Sequence, residues 1–441
     1  MTAAIEQDIT LSTAAENKEV IRRLAMAFNT SNYPAVDDLV SESFVLHPNM
    51  MVPNGLRGAD GFKQLCADIR ASMPDAYHPI DHIISQGDLV AIHLIFTGTF
   101  KNPYNGLPPT GESITFGMLN FWRVENGKAV EAWWYMDTLE VQQQLGLVPV
   151  EKKPRRPLSE EEQANVAIVG RILKDYFNDG RIDVIPELFD PNFVIYAADG
   201  SIIHGHAGAE FYVKAERAAF PDLYWIQEDL VVDGDKVILY FTGYGTFTGE
   251  WMGIPPNNKP IKWVGNAMFR IQNGKVVEDR LIWESLRFLQ QLGAIPTPEA
   301  KHDPAKNKEV VHTIHLSWNE ENRGKSIDHL LAPNWTLHPG AAPNLIMLYG
   351  IEQFKNWAGG FLKVMPDFNA TIHATVAEGD LVAIRWTVTG THQGEFNGAQ
   401  PTGKPIEATG ASLWRVNEAG QNDAIWFVMD NIKFMKDIGL M

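Results

Sequence analysis

The sequence predicts an α+β fold built three times in tandem along one chain of 441 residues. Two observations carry this. An acidic residue stands nine positions before a glycine that ends a short amphipathic run, as Asp137 and Gly146, Glu284 and Gly293, and Asp430 and Gly439. The three acids are 147 and then 146 residues apart, a period too long for a solenoid unit, so each copy is expected to be a whole domain. Within a copy, helical stripes come first and strands follow, joined by tight turns rather than crossover helices. That order excludes a doubly wound sheet and reads as helices followed by a curved antiparallel sheet.

Copy one shows the elements in order. Val20, Ile21, Leu24 and Phe28 recur at helical spacing over Ala15 to Asn29. A short helix is expected over Ala35 to Val40 and a strand over Phe44 to His47. Phe62, Leu65, Ile69 and Met73 mark a helix from Gly58 to Met73, which Pro74 stops. Strands then run over Tyr77 to Ser85, Leu89 to Phe100, Ile114 to Val124 and Ala129 to Met136. Gly87-Asp88 and Asn126-Gly127 supply the hairpin turns.

The same landmarks return at nearly the same period. Met73-Pro74-Asp75 recurs as Phe220-Pro221-Asp222 and Met365-Pro366-Asp367, and Gly87-Asp88 as Gly234-Asp235 and Gly379-Asp380. Trp122-Arg123-Val124 recurs as Phe269-Arg270-Ile271 and Trp414-Arg415-Val416. The expected domains are therefore residues 1–150, 151–298 and 299–441. Proline- and charge-rich stretches, 148–162 and 294–306, read as short semi-rigid linkers. Lys152, Lys153, Arg155 and Arg156 in the first are a solvated linker rather than a targeting patch.

Composition limits the function. A formal charge of −17 argues against nucleic acid or an anionic membrane as partner, because both demand a basic face. The single cysteine, Cys66, excludes an internal disulfide framework and suits a reducing compartment. The first residues lack the basic start and apolar run of a signal peptide, and no stretch is apolar enough to span a bilayer. A cytoplasmic protein is expected.

Taken together, the helix ending at Phe-Asn, the His-Pro pair, the Met-Pro-Asp helix end, Gly-Asp, Thr-Gly-Thr, Pro-Thr-Gly, the Arg-terminated strand, Trp-x-x-x-Asp and the Leu-Gly terminus resemble the SnoaL-like polyketide cyclases, of the nuclear-transport-factor-2-like superfamily. The resemblance covers almost the whole chain, once per copy, and rests on order and spacing rather than on one motif. It implies three tandem cone-shaped α+β barrel domains, each a curved sheet wrapped by helices around an apolar pocket. It also implies cofactor-free acid/base chemistry, with an acid at the position of Asp137 serving an intramolecular aldol ring closure.

That chemistry suits the residue types. One carboxyl group can take a proton from an activated carbon and later deliver one to the new alkoxide. Burial in an apolar cone would raise its pKa towards that task. Asp137, Asp430 and Glu284 are the catalytic candidates. The competing reading is that Asp137 caps the helix behind it, with Glu140 three residues on; Glu is a poor N-cap, so Glu284 fits that reading badly. Substrate-binding candidates are His47 and His338 at the His-Pro position, His93, Tyr240 and Arg385 at one shared strand position, Trp133 and Trp426 four residues before the acids, and His392. His204 and His206 in copy two lack a third ligand at sensible spacing, so no metal is expected. Copy two departs most, with Tyr196-Ala197 for His-Pro, Arg280 for the tryptophan and Glu for Asp.

Two function classes follow. One is a cyclase, isomerase or dehydratase acting on a small apolar, ring-bearing substrate. The other is a non-catalytic small-molecule-binding or assembly protein of the same domains. Members of the superfamily commonly pair through the outer sheet face. Ile92, Leu94 and Phe96, with Leu239, Phe241, Ile384, Trp386 and Val388, offer an apolar set for it; His93, Tyr240, Arg385 and Thr387 form the more polar alternate set, and the sequence leaves open which of the two faces inward. Two domains are expected to pair within the chain and the third with its counterpart in a second chain. A pseudo-threefold arrangement needing no partner is the alternative.

Overall fold

The computed structural model describes all residues except 1, 149–155, 199, 297–301, 320–322, 325, 340–346 and 397, with the backbone alone for 2–13. Lys152, Lys153 and Arg155 thus lie outside the described residues, and Arg156 bonds Glu162 at 2.7 Å.

Domain 1 runs through α1 (Thr2–Asn29), α2 (Val36–Leu39), β1 (Val40–Leu46), β2 (Leu56–Arg57), α3 (Gly58–Ser72), β3 (Ile80–Gln86), β4 (Leu89–Thr99), β5 (Ser113–Glu125), β6 (Lys128–Met136) and α4 (Thr138–Gln144). Domain 2 repeats this as α5 (Glu160–Arg171), which continues into a π-helical segment over Ile172–Asn178, then α6 (Ile185–Leu188), β7 (Phe189–Tyr196), β8 (Ile202–His204), α7 (Gly205–Ala219), β9 (Tyr224–Asp233), β10 (Lys236–Thr246), β11 (Pro260–Gln272), β12 (Lys275–Trp283) and α8 (Ser285–Leu292). Domain 3 follows with α9 (Pro304–Leu316), β13 (Leu331–Pro339), β14 (Leu348–Tyr349), α10 (Ile351–Val364), β15 (Asn369–Glu378), β16 (Leu381–Thr391), β17 (Pro405–Val416), β18 (Asn422–Met429) and α11 (Asn431–Asp437).

Each repeat forms its own six-stranded sheet, in the order β2-β1-β6-β5-β4-β3 and its two equivalents. The expected antiparallel sheet is in fact mixed: β1 runs parallel to β6, β7 to β12 and β13 to β18. The sheets are open rather than closed barrels, since the short strands β2, β8 and β14 end one edge and β3, β9 and β15 the other. Each of those short strands is two or three residues long, too short to show a period.

The recurring sequence landmarks are bonded to one another. Asp75 accepts from the backbone N and hydroxyl of Thr99 at 2.8 and 2.6 Å; Asp222 does the same for Thr246, and Asp367 for Thr391. The glycine before each threonine lets the strand lie on the helix end. A Cβ on Gly98, Gly245 or Gly390 would come within 3.2, 2.9 or 2.8 Å of Ala76, Phe220 or Met365. Asn17, Asn165 and Asn307 each donate to the carbonyl of a hairpin glycine, Gly87, Gly234 and Gly379, at 2.9 to 3.0 Å. These bonds tie the first helix of each copy to its sheet.

The chain divides into two compact units, one of Met1–Val150 with Ala300–Met441, the other of Glu151–Glu299. Within the first unit, domains 1 and 3 pack sheet face against sheet face. Ile84, Ala91, Leu119 and Phe121 meet Val376, Ala383, Ala411, Leu413, Ala424, Trp426 and Val428 in a shared apolar cluster. Of the two sets left open by the sequence, the more polar one lies on the pairing face. Ile92, Leu94 and Phe96 point into their own domain's core, as do Leu239, Phe241, Ile384, Trp386 and Val388. The alternate set, with His93 and Arg385, faces the neighbouring domain: Arg385 lies 4.4 Å over the Trp133 ring, and His93 is 6.4 Å from Trp426.

The second unit carries two carboxyls in its core. Glu216 on α7 and Asp279 on β12 are buried, and burial pushes each up to about 8. Their folded-state values lie above the unfolded ones, so the unfolded chain releases these protons first. The stability they permit is complete below about pH 4 and is lost as pH rises towards 8. A Glu216→Gln and Asp279→Asn variant should therefore gain stability over the wild type by up to a few kcal/mol as pH rises from 4 to 8, measured by denaturant unfolding. A constant difference across that range would contradict the protonated state of both groups.

Candidate functional site

The core of domain 3 holds a cavity of about 60 Å³. Helix α10 supplies Phe354, Trp357, Ala358 and Phe361, the i, i+3, i+4, i+7 face of one helix. Strands β16, β17 and β18 supply Trp386, Val388, Trp414, Phe427 and Met429, and the end of α9 supplies His315 and then Trp318. Trp386 and Phe427 stack at 5.2 Å, and Trp357 meets Phe427 edge-on at 5.0 Å. The indole N–H groups of Trp386 and Trp414 both donate to Ser412 Oγ, at 3.2 and 2.8 Å. His315 Nε2 is buried in this wall without a partner among the described residues.

Two effects oppose each other at His315. The C-terminal turn of α9 favours a cation by about 1 kcal/mol. Burial, with a smaller contribution from His312, disfavours it and pushes the imidazole down to about 4 from 6.5, a net cost of roughly 3 kcal/mol. Desolvation wins, and the ring is neutral at pH 7. Such a group can donate one hydrogen bond or accept one inside an aromatic box.

Domain 1 has a larger space, about 420 Å³, lined by Met50, Met51, Met73, Phe96 and Phe116 and closed by Val141 of α4 and Leu145 just beyond its end. Tyr104 and Asn105 at its rim both donate to the Met51 carbonyl, at 3.0 and 2.9 Å, and burial pushes the tyrosine hydroxyl up to about 12. Domain 2 packs its core aromatics tightly. Trp225 is sandwiched between Phe177 and Phe241, with ring centroids 4.2 and 3.9 Å away. Among the described residues, Asp279 Oδ1 beside this packing has no hydrogen-bond partner.

A family model for the SnoaL-like polyketide cyclase matches residues 18–145, 167–292 and 308–438, once in each domain. The chain belongs to the SnoaL-like polyketide cyclase family. Solved structures similar to single SnoaL-like domains include a candidate SnoaL-like polyketide cyclase from Jannaschia sp. CCS1, at 25% identity and TM-score 0.31 over 32% of this chain and 100% of that one. Another is IdmH, a candidate polyketide cyclase from Streptomyces antibioticus, at 31% identity and TM-score 0.27 over 30% of this chain and 98% of that one. At these TM-scores neither likeness carries an argument about activity. No curated protein matches the sequence.

The three acids of the SnoaL-like repeats sit at the strand-to-helix junctions, outside the residues that line the cavities. Asp137 Oδ1 accepts from Glu140 N at 3.0 Å, and Asp430 Oδ1 from Lys433 N at 3.1 Å, so both cap helices. They also cross between domains. Asn431 donates to Asp137 Oδ2 at 2.7 Å, and the Thr138 hydroxyl to Asp430 Oδ1 at 2.9 Å. Each acid thus accepts from the residue that follows the other acid, the reciprocity of a two-fold contact. Glu284 is exposed and makes no capping bond, so the expected burial of this acid does not hold.

Apart from His392, the other candidates gather on the outer sheet face rather than at a cone mouth. His47 stacks on Trp133 at 4.9 Å and its Nε2 lies 2.8 Å from Glu131; His338 stacks on Trp426, also at 4.9 Å. In domain 2 Arg280 stacks on Tyr196 at 4.3 Å, the same position with a different pair. His93 Nδ1 is 3.0 Å from Asp81, whose side chain is fully buried. Tyr240 is half-buried on the corresponding strand of domain 2. His392 is buried with Nδ1 3.1 Å from Thr402, where domains 1 and 2 have Phe100 and Phe247. His206 donates to the Phe189 carbonyl and His204 is exposed; among the described residues no three His, Cys, Asp or Glu side chains form a metal-binding group. No described helix is long and apolar enough to cross a membrane.

Sequence reasoning missed His315, Glu216 and Asp279. Registering the copies on Asn17, Asn165 and Asn307 sets His315 against Ala25 and Leu173. Strand pairing sets Asp279 against Ala132 and Ile425. A polar residue facing apolar counterparts was the available signal.

The two roles of the acids separate by substitution. Asp430→Ala should cost unit 1 about 2 kcal/mol in urea unfolding, from the lost cap and the lost cross-domain bond. Asp430→Asn, which keeps an equally good cap, should stay within about 0.5 kcal/mol of wild type. Equal losses in both would remove the capping assignment.

Proposed function

We propose that the chain is a cofactor-free protein of cyclase or isomerase type, acting on a small, planar, apolar ligand in the core of domain 3. The observation that carries the reading is the unpartnered Nε2 of neutral His315 in a wall otherwise made of rings and aliphatic groups. A ring-bearing ketone would fill such a box by stacking. Its carbonyl oxygen would take the imidazole N–H, which is most valuable where negative charge develops and water is excluded. A neutral rather than charged imidazole in this position polarises a carbonyl without first giving up a proton. In this reading the proton-transferring acid is Asp430, whose carboxylate caps α11 and accepts from Thr138 outside the cavity lining, so it would reach the activated carbon only once the helices over the cavity open. Family membership supports the reaction class, and a polyketide-like substrate fits the wall. Opening of α10 would enlarge the space, since Gly359 and Gly360 make its middle cheap to unwind, at about 1 kcal/mol each relative to alanine.

A second reading applies to domain 1 alone. Its larger, methionine-rich space has Tyr104 as its titratable wall group, and that hydroxyl is already bonded to Met51. Domain 1 therefore serves as a binding compartment rather than a reactive one.

The test is deuterium exchange at the activated carbon of a β-keto aryl ester, followed by NMR, with tryptophan fluorescence reporting binding. Wild type should accelerate exchange. Asp430→Asn should abolish the acceleration without weakening binding, and His315→Phe should reduce it by roughly tenfold to a hundredfold. Binding without any acceleration in the wild type would leave a binding protein and remove the enzyme.

A further inference from the structure

Domain 3 buries a second imidazole besides His315. His392 follows β16, and its backbone carries the sheet on by one residue. Its N donates to the Lys404 carbonyl and its own carbonyl accepts from Gly403 N, both at 2.9 Å. Phe100 and Phe247 make the same two backbone bonds in domains 1 and 2, so the three positions are equivalent. The His392 side chain is fully buried. Thr402 N donates to its Nδ1 at 3.3 Å, and the Thr402 hydroxyl lies 3.1 Å from the same atom. A backbone N–H can only donate, so Nδ1 is an acceptor and the ring proton sits on Nε2. That N–H is buried without a partner among the described residues. A bare buried donor destabilises the fold, and a ligand's acceptor would relieve it.

Strand residues two apart share a face, so Trp386, Val388, Gly390 and His392 form one inner row. Trp386 and Val388 of this row line the cavity. His315 lies at the Trp386 end, with the two rings 5.8 Å apart. Domain 1 shows that such a row can face one continuous space. Its Phe96 and Phe100, at the positions of Val388 and His392, both line the space of about 420 Å³. In domain 3 a ring stands in the way. Phe434 of α11 replaces Val141 of α4, each bonding back to the acid that caps its helix. It meets Phe361 of the cavity wall at 6.3 Å and Phe396, the counterpart of Tyr104, edge-on at 5.4 Å. Phe434 therefore separates the cavity beside His315 from the part of the cone that holds His392.

We propose that domain 3 takes an elongated aromatic ligand with an oxygen acceptor at each end. His315 holds one oxygen and His392 Nε2–H the other, and Phe434 is the ring that moves aside to admit the skeleton. The inference rests on domain 3 being the ligand-bearing domain and names the class of ligand it takes. Six residues of extended chain lead from Trp386 to His392, about 20 Å. Less two hydrogen bonds and the reach of both imidazoles, that leaves room for a linear skeleton of about three fused rings. The cavity of about 60 Å³ is smaller than such a skeleton, so the two compartments must join for it to bind. An ammonium or other donor at the far end would meet a donor and be rejected. Domains 1 and 2 carry phenylalanine at this position and lack the second anchor.

Tryptophan-fluorescence titration of the full chain with 2,6-diacetylanthracene and with 2-acetylanthracene tests the proposal. The two compounds share a skeleton and differ by one acetyl group. Wild type should bind the diketone roughly tenfold more tightly than the monoketone. His392→Phe installs the residue that the other two copies already carry. It should erase that preference and leave both the monoketone's affinity and the melting temperature unchanged. Phe434→Val, with the residue of domain 1, should tighten the diketone. His315→Phe should weaken both compounds, which places them in domain 3. A wild type without the preference, or a preference that survives His392→Phe, would overturn the inference, while binding of the monoketone keeps the reading of domain 3. Compounds indifferent to His315→Phe would overturn it too, because they would sit in another domain. Binding of neither compound would sink the inference and the reading together.

Discussion

A six-stranded sheet has two faces, and the helices of one domain in this chain cover only one of them. Covering the other is the constraint from which the arrangement of unit 1 follows. Domains 1 and 3 meet it by lying on each other, and their contact is made close by small residues. Ala91, Ala383, Ala411 and Ala424 stand where the two sheets approach, with Phe121, Leu413 and Trp426 filling the space around them. Burying these groups supplies most of the attraction, since each large side chain removed from water is worth about 2 kcal/mol. Directional bonds then fix the register: Glu378 accepts from Ser85 N at 2.9 Å, and the capping acids exchange bonds with each other's helices.

The acids therefore act on the cavities indirectly, whatever else they do. Asp137 sets the start of α4, whose Val141, with Leu145 at its C-cap, closes the space in domain 1. Asp430 sets the start of α11 one residue beyond Met429, which lines the space in domain 3. A cap and a cross-domain bond are each worth about 1 kcal/mol, too little to hold a fold but enough to select one helix orientation. The interface and the interiors are thus coupled through two carboxylates, and the identity of the residue after each acid matters as much as the acid.

Much of the fold was legible because its landmarks are physical partners. Met-Pro-Asp and Thr-Gly-Thr recur together because the Asp bonds the Thr, and Asn-Gly recurs because Asn126 and Asn273 need positive φ, at 50° and 52°. Orientation of the strands was not legible in domain 1. Residues 90–98 of β4 are buried on both sides, so the period-two alternation that marks a half-exposed strand is absent there. In domain 2 the corresponding strand alternates, with Lys236 and Ile238 exposed and Val237 and Leu239 buried. The parallel pairing of β1 with β6 was also hidden, because it joins the first strand of the copy to the last. His315 gave no local signal, being one polar residue in a helix whose neighbours Val311 and Ile314 already explain the buried stripe.

The middle copy shows how such a repeat diverges without losing its logic. Its interior has closed around Trp225 and taken in two carboxyls, at Glu216 and Asp279, where the other copies are apolar. Relaxed selection would scatter polar substitutions over both faces independently. On the outer face the changes instead come in matched sets: Asp to Glu with Thr or Asn to Ser, and arginine with an aromatic ring exchanging places at two facing positions.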